Sequence, residues 1–218
     1  MITRGVGLLG KLPSHGDFLC LNVPPKLASP LDAWLAATLA ASRDGLGDRW
    51  LDIFLEAPIW RFALAAGCCG PRAAAGIWLP SVDRVGRYFP LLLVAALDVP
   101  YGPATLLHRA GRWYDEQQTL ASALLEGELA PAEIEARLAD ADPFPVEQPP
   151  GMPWRMSPGD AAGWQLAGIA PVGSLWWGEG SRLVPPSVLA CPALPPPDIF
   201  AAMLDGRFAD RGWVELPQ

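Results

Sequence analysis

A chain of 218 residues, about half of them hydrophobic and 18% charged, has ample apolar material for a globular core. Its formal net charge of −7, with no run of Lys and Arg to offset it, points away from nucleic acid as a partner. The longest apolar stretch, Tyr88 to Leu97, falls short of the ~20 residues that span a bilayer, and the segment after Arg4 is too broken by glycines for a secretory signal, so a cytoplasmic protein without direct membrane insertion is expected.

Gly5 to Leu12 reads as a first strand, with glycines where something packs closely. Gly5 to Lys11 also has the spacing G-x-x-x-x-G-K. Leu12 and Pro13 then stand where a phosphate loop needs Ser or Thr and the start of a helix, so no nucleotide or other cofactor is expected. Pro13 to Asp17 is a tight polar turn. Ser14, His15 and Asp17 are ingredients of nucleophilic catalysis, but a triad is assembled from distant segments. Crowded into four residues, they suit a hydrogen-bonded turn better.

Ser29 as N-cap and Pro30 as first residue predict a helix with Leu31, Trp34, Leu35, Thr38 and Leu39 on one face, stopping at Gly45. A short helix follows from Asp48 to before Pro58, with Trp50, Leu51, Phe54 and Leu55 inward. Trp60–Ala65, Ala73–Leu79 and Leu91–Leu97 read as strands with short connections, which favours an antiparallel meander. The last is a continuous apolar run, as a strand covered on both faces requires.

Between the second and third of these strands, Asp83, Arg84 and Arg87 sit beside a core element, with Ser81 before them and Gly86 among them. Charges there need partners. A polar corner is therefore expected, with Asp83 bound to Arg61, Arg84 or Arg87. Arg61 lies in the strand Trp60-Arg61-Phe62-Ala63-Leu64 and is either exposed at an edge or paired with Asp83 across neighbouring strands.

Pro103 starts a long helix running to Gly127, with Leu106, Ala110, Trp113, Leu120, Leu124 and Leu125 inward, and Pro131 starts a shorter one with Ile134 and Leu138. His108 has no ligand-type residue one turn away and receives no role. Six prolines between Asp142 and Pro158 mark an irregular connector; Trp154 and Trp164 suggest that it packs, giving one domain over residues 1–218. Gly173–Trp177 is a strand whose adjacent indoles, Trp176 and Trp177, point to opposite faces, one buried and one near a surface or covering helix. Ser187–Cys191 is the last strand, and a helix from Pro197 carries Phe200, Met203 and Leu204 to Gly206. Cys20, Cys68, Cys69 and Cys191 lack metal-site spacing and read as reduced thiols, so no metal is expected. The fold class expected from this order is α/β: a layered sandwich with a mixed, largely antiparallel central sheet flanked by helices.

Four stretches carry a resemblance. Pro80-Ser81-Val82-Asp83-Arg84-Val85-Gly86-Arg87-Tyr88-Phe89-Pro90-Leu91 resembles the signature of the TagF family of type VI secretion accessory proteins. Gly10-Lys11-Leu12-Pro13-Ser14-His15-Gly16-Asp17-Phe18, Pro58-Ile59-Trp60-Arg61-Phe62-Ala63-Leu64 and Ser174-Leu175-Trp176-Trp177 agree with it in the family's order. The resemblance implies a non-catalytic negative regulator of secretion-system assembly that binds a cytoplasmic component, in some members the forkhead-associated scaffold protein. Family members commonly carry Arg where this chain has His15, which supports the turn reading, since Arg stays charged and cannot serve as a base. Lys11, His15, Asp17, Arg61, Ser81, Asp83, Arg84, Arg87, Trp176 and Trp177 form the candidate partner-binding or structural set. The alternative is a small hydrolase using His15, Asp17 and Asp83.

Overall fold

The computed structural model describes residues 5–98, 102–127, 129–141 and 172–215. The proline-rich connector, with Trp154 and Trp164, and the side chain of His108 lie outside the described residues. Seven strands form one sheet: β1 (Gly7–Gly10), β2 (Leu19–Leu21), β3 (Trp60–Leu64), β4 (Ala74–Leu79), β5 (Leu91–Ala96), β6 (Ser174–Gly178) and β7 (Ser187–Cys191). Their order is β2-β1-β5-β4-β3-β6-β7, and each neighbouring pair is antiparallel. The β3–β4–β5 meander lies at the centre. All of β4 and nearly all of β5 are buried, as apolar runs without alternation require.

Helices cover both faces, giving an α/β sandwich. On one side lie α1 (Pro25–Leu46) and α2 (Trp50–Leu55), packed on Trp60, Phe62, Trp78, Leu92, Val94 and Trp176. On the other, Ala63, Ala75, Ile77, Leu91, Leu93 and Trp177 meet α3 (Pro103–Arg109), α4 (Gly111–Glu126) and α5 (Pro131–Asp140). The first face is dominated by aromatic rings. Gly76 makes room for them: a Cβ there would lie 2.4 Å from the Phe62 ring, which crosses its cross-strand partner to reach Trp176 at 4.9 Å. Indole N–H groups tie the C-terminal segment to this layer, Trp34 donating to the Pro195 carbonyl (2.8 Å) and Trp60 to that of Met203 (2.9 Å).

Four elements depart from expectation. Helix α1 starts at Pro25, not Pro30, so Ser29 is helical rather than a cap. Pro30 then lies inside the helix, where the Lys26 carbonyl goes without the N–H it would otherwise accept. The helix expected from Pro103 to Gly127 divides at Ala110, whose ψ of 16° leaves the helical range just before the weak helix former Gly111. The C-terminal helix shrinks to α6 (Ala202–Asp205), with 199–203 held by tighter bonds three residues apart. Strand β2 carries no clear sequence signal. It forms because β1 offers Leu8, Leu9 and Gly10 as partners.

Both sheet edges are short and bracketed by proline. Beyond β2 come Asn22, with φ 55°, and then Pro24 and Pro25; β7 lies between Pro186 and Pro192.

Candidate functional site

Strand β1 ends at Gly10, whose φ of 134° and lack of a Cβ let the Pro90 carbonyl approach to where a side chain would stand. This delivers Lys11 to the loop between β4 and β5. That loop is a small hairpin: Val82 bridges Tyr88, the Asp83 amide donates to the Arg87 carbonyl (3.0 Å), and the Gly86 amide donates to the Asp83 carbonyl (3.0 Å). Ser81 Oγ donates to the Lys11 carbonyl (2.7 Å), and the Arg84 amide to the His15 carbonyl (3.0 Å), so the two loops are sewn together.

Asp83 is the centre of the corner, its side chain wholly buried. Oδ2 accepts from Lys11 Nζ (2.5 Å) and Arg87 Nε (2.6 Å), while Oδ1 accepts from the amides of Val85 (3.0 Å) and Arg87 (2.8 Å). Burial alone would push the carboxyl up. The bonds from Lys11, Arg87 and the loop amides outweigh it and hold Asp83 well below the usual carboxylate range. Arg87 also reaches the Gly16 carbonyl. The carboxylate is ionised and fully occupied.

Around this buried centre the surface is different in kind. Arg84 is exposed and makes no ion pair or hydrogen bond through its guanidinium among the described residues. Val85, at the tip of the hairpin, is 65% exposed, and Phe18 is 38% exposed with its ring edge-on to Phe89 at 5.4 Å. Asp17 is exposed. Ser14 Oγ lies 2.8 Å from His15 Nδ1, and among the described residues no carboxylate bonds the other ring nitrogen. A hydrolytic triad is therefore not assembled there.

Lys11, Ser81, Asp83 and Arg87 thus come together by direct bonds, with His15 and Arg84 joined through the backbone. Arg61 does not join them. The expected Arg61–Asp83 contact is replaced by bonds to Gln118 and to Asp115 (2.7 Å) on α4. The reason is strand alternation. Trp60 and Phe62 face α1, so Arg61 faces α4, opposite Ile77 and six residues of chain before Asp83. Trp176 and Trp177 do point to opposite faces, but both are buried. Trp176 packs on Trp34 at 5.2 Å, and Trp177 lies under Tyr114 at 4.8 Å. They belong to the core and offer a partner no surface.

Two features escaped sequence reasoning. Lys11 as a partner of Asp83 depends on β1 pairing with β5, which no local pattern reveals. The exposure of Val85 had a faint signal, an apolar residue flanked by charges and glycine. Among the described residues, no group of three or more His, Cys, Asp or Glu could hold a metal, and no helix is long and apolar enough to cross a membrane. A surface pocket of about 390 Å³ lies at the far end of β5, beside Ala96, lined by residues 24–27 and 70–72. It holds no catalytic set.

Residues 7–141 match the family model of the TagF N-terminal domain, described as type VI secretion system-associated. With its α/β sandwich, the molecule is therefore a secretion-system-associated protein. The crystal structure of PA0076 from Pseudomonas aeruginosa PAO1 is similar over 98% of this chain and 97% of that one, at 33% identity and a TM-score of 0.80. No curated protein matches the chain. The family model spans more than half of the sequence, and the chain belongs to the TagF family.

Proposed function

We propose that this protein is a non-catalytic negative regulator of type VI secretion, acting in the cytoplasm by occupying an assembly component. The forkhead-associated scaffold is the first candidate partner. It acts as one unit over residues 1–218, since β6 and β7 extend the same sheet that β1 to β5 begin. The observation that carries the reading is the saturation of Asp83. A carboxylate with four donors and a depressed pKa has no capacity left to take a proton or attack a substrate, whereas it holds a loop rigidly. Around it Arg84 and Asp17 are exposed, and Arg87 shows solvent the part of its side chain that Asp83 and Gly16 do not engage, so a partner can meet all three.

One contact favours a second reading, hydrolysis: the Ser14–His15 pair at 2.8 Å. One experiment separates the two. The protein is supplied in excess, and secreted tube protein is measured in the medium. Binding predicts that His15→Asn represses secretion as strongly as the parent. Loss of repression by a folded His15→Asn protein, checked by circular dichroism, returns the hydrolase.

A further inference from the structure

The proposed regulator carries net charge −7, yet the only charges that the hairpin of its polar corner shows to solvent are those of Arg84 and Arg87. The only acidic residues in 11–18 and 81–90 are Asp17 and Asp83, and Asp83 is sealed inside. Facing solvent are Arg84, without a partner among the described residues, and Arg87, whose side chain is 59% exposed despite its bonds to Asp83 and Gly16. Arg43 joins them from α1, donating to the Tyr88 carbonyl (3.2 Å) and lying over the Trp50 ring at 4.3 Å. Beside these cations stand Val85 and Phe18, two of the few large apolar side chains exposed among the described residues.

We propose that this rim binds an acidic segment of a partner protein, in which carboxylates meet Arg84 and Arg87 and an apolar side chain covers Val85 and Phe18. The inference rests on the binding reading above and names the chemistry of the partner. Arg84 presents paired guanidinium donors that match a carboxylate, and Arg87 adds its charge and the donors that Asp83 and Gly16 leave unused. The acidic remainder of the molecule is a weak obstacle. At physiological salt the screening length is about 8 Å, so distant charges fade while direct contacts at the rim persist. Nor does the hairpin need ordering on binding. Asp83 accepts the amides of Val85 and Arg87, and the Arg84 amide is bonded to His15, so the tip is already fixed in place.

The test uses the full chain and a fluorescein-labelled dodecapeptide, Glu-Glu-Leu repeated four times, read by fluorescence anisotropy at 0.15 M salt. The peptide should bind, a Lys-Lys-Leu counterpart should not, and Arg84→Glu should weaken binding at least tenfold. Arg112→Glu, an exposed reversal on α4, should leave it unchanged. Three results overturn the proposal: no binding of the acidic peptide, equal losses from Arg84→Glu and Arg112→Glu, or inorganic polyphosphate binding at the rim as tightly as the peptide. The last would make the rim a general phosphate surface. Repression by the parent protein in excess is scored alongside. If repression persists while the peptide result fails, only this surface is wrong; if repression itself is absent, the regulatory reading fails first.

Discussion

Two charged side chains, Asp83 and Arg61, sit at the sheet and are handled in opposite ways. Asp83 is buried and takes every partner from loops that the strands themselves position. Arg61 is 15% exposed and takes its partners from α4, where Asp115 is 68% exposed. The first charge has no water to fall back on; the second does. Buried ion pairs are costly to break from one side because the remaining charge stays desolvated, whereas an exposed pair contributes little. Two of the four family-like stretches thus differ: one carries a charge that organises the fold locally, the other a charge that trims a helix contact.

The largest effect should follow from Asp83→Ala. It leaves Lys11, Arg87 and two loop amides without their acceptor and releases the hairpin tip. In urea titrations this variant should unfold well before any Arg61 or Asp115 variant; a midpoint equal to theirs would dissolve the contrast. Next comes Arg61→Ala, which removes the contacts to Gln118 and Asp115 and the guanidinium that lies over the Tyr114 ring. A loss of about 1–2 kcal/mol is expected, from one charged hydrogen-bond set and some packing. Asp115→Ala should be the smallest, about 0.5 kcal/mol or less, because its partner keeps Gln118 and the site is open to salt.

Acid sharpens the contrast. Asp83 has a folded carboxyl held below its ordinary value, so its stabilisation is complete above about pH 4 and is lost as the pH falls below that towards the folded value. Between pH 7 and pH 3 the parent should lose more stability than Asp83→Asn, measured as the shift in urea midpoint. Equal losses would mean that other carboxylates set the acid response.

The legible parts of the fold are those where sequence and structure share a short range. The meander was readable because β4 and β5 are unbroken apolar runs, joined through a loop whose charges and Gly86 mark where each run stops. The start of α1 was not, because Ser29–Pro30 and Pro24–Pro25 are both plausible openings, and the earlier one adds a turn whose Leu27 is buried in the core, a tertiary contact with no local signal. At the site, Asp83 and Arg87 lie four residues apart and could be paired on paper. Lys11 could not, since its arrival depends on β1 crossing to β5, a decision of the whole sheet. Arg61 misled for the same reason in reverse: it is close to the corner in motif order but on the face covered by α4.

The proline brackets around the sheet edges have a bearing on dosage. A regulator that works by occupying its target has to be abundant enough to match it copy for copy. A seven-stranded antiparallel sheet with open edges would invite neighbouring copies to add strands end upon end as concentration rises. Here one edge is three residues long and runs into Pro24 and Pro25, and the other is closed by Pro186 and Pro192, which cannot donate to an incoming strand. Strand addition between copies is disfavoured at both of these edges, which suits the proposed mode of action, in which the supply of the protein would set the degree of repression.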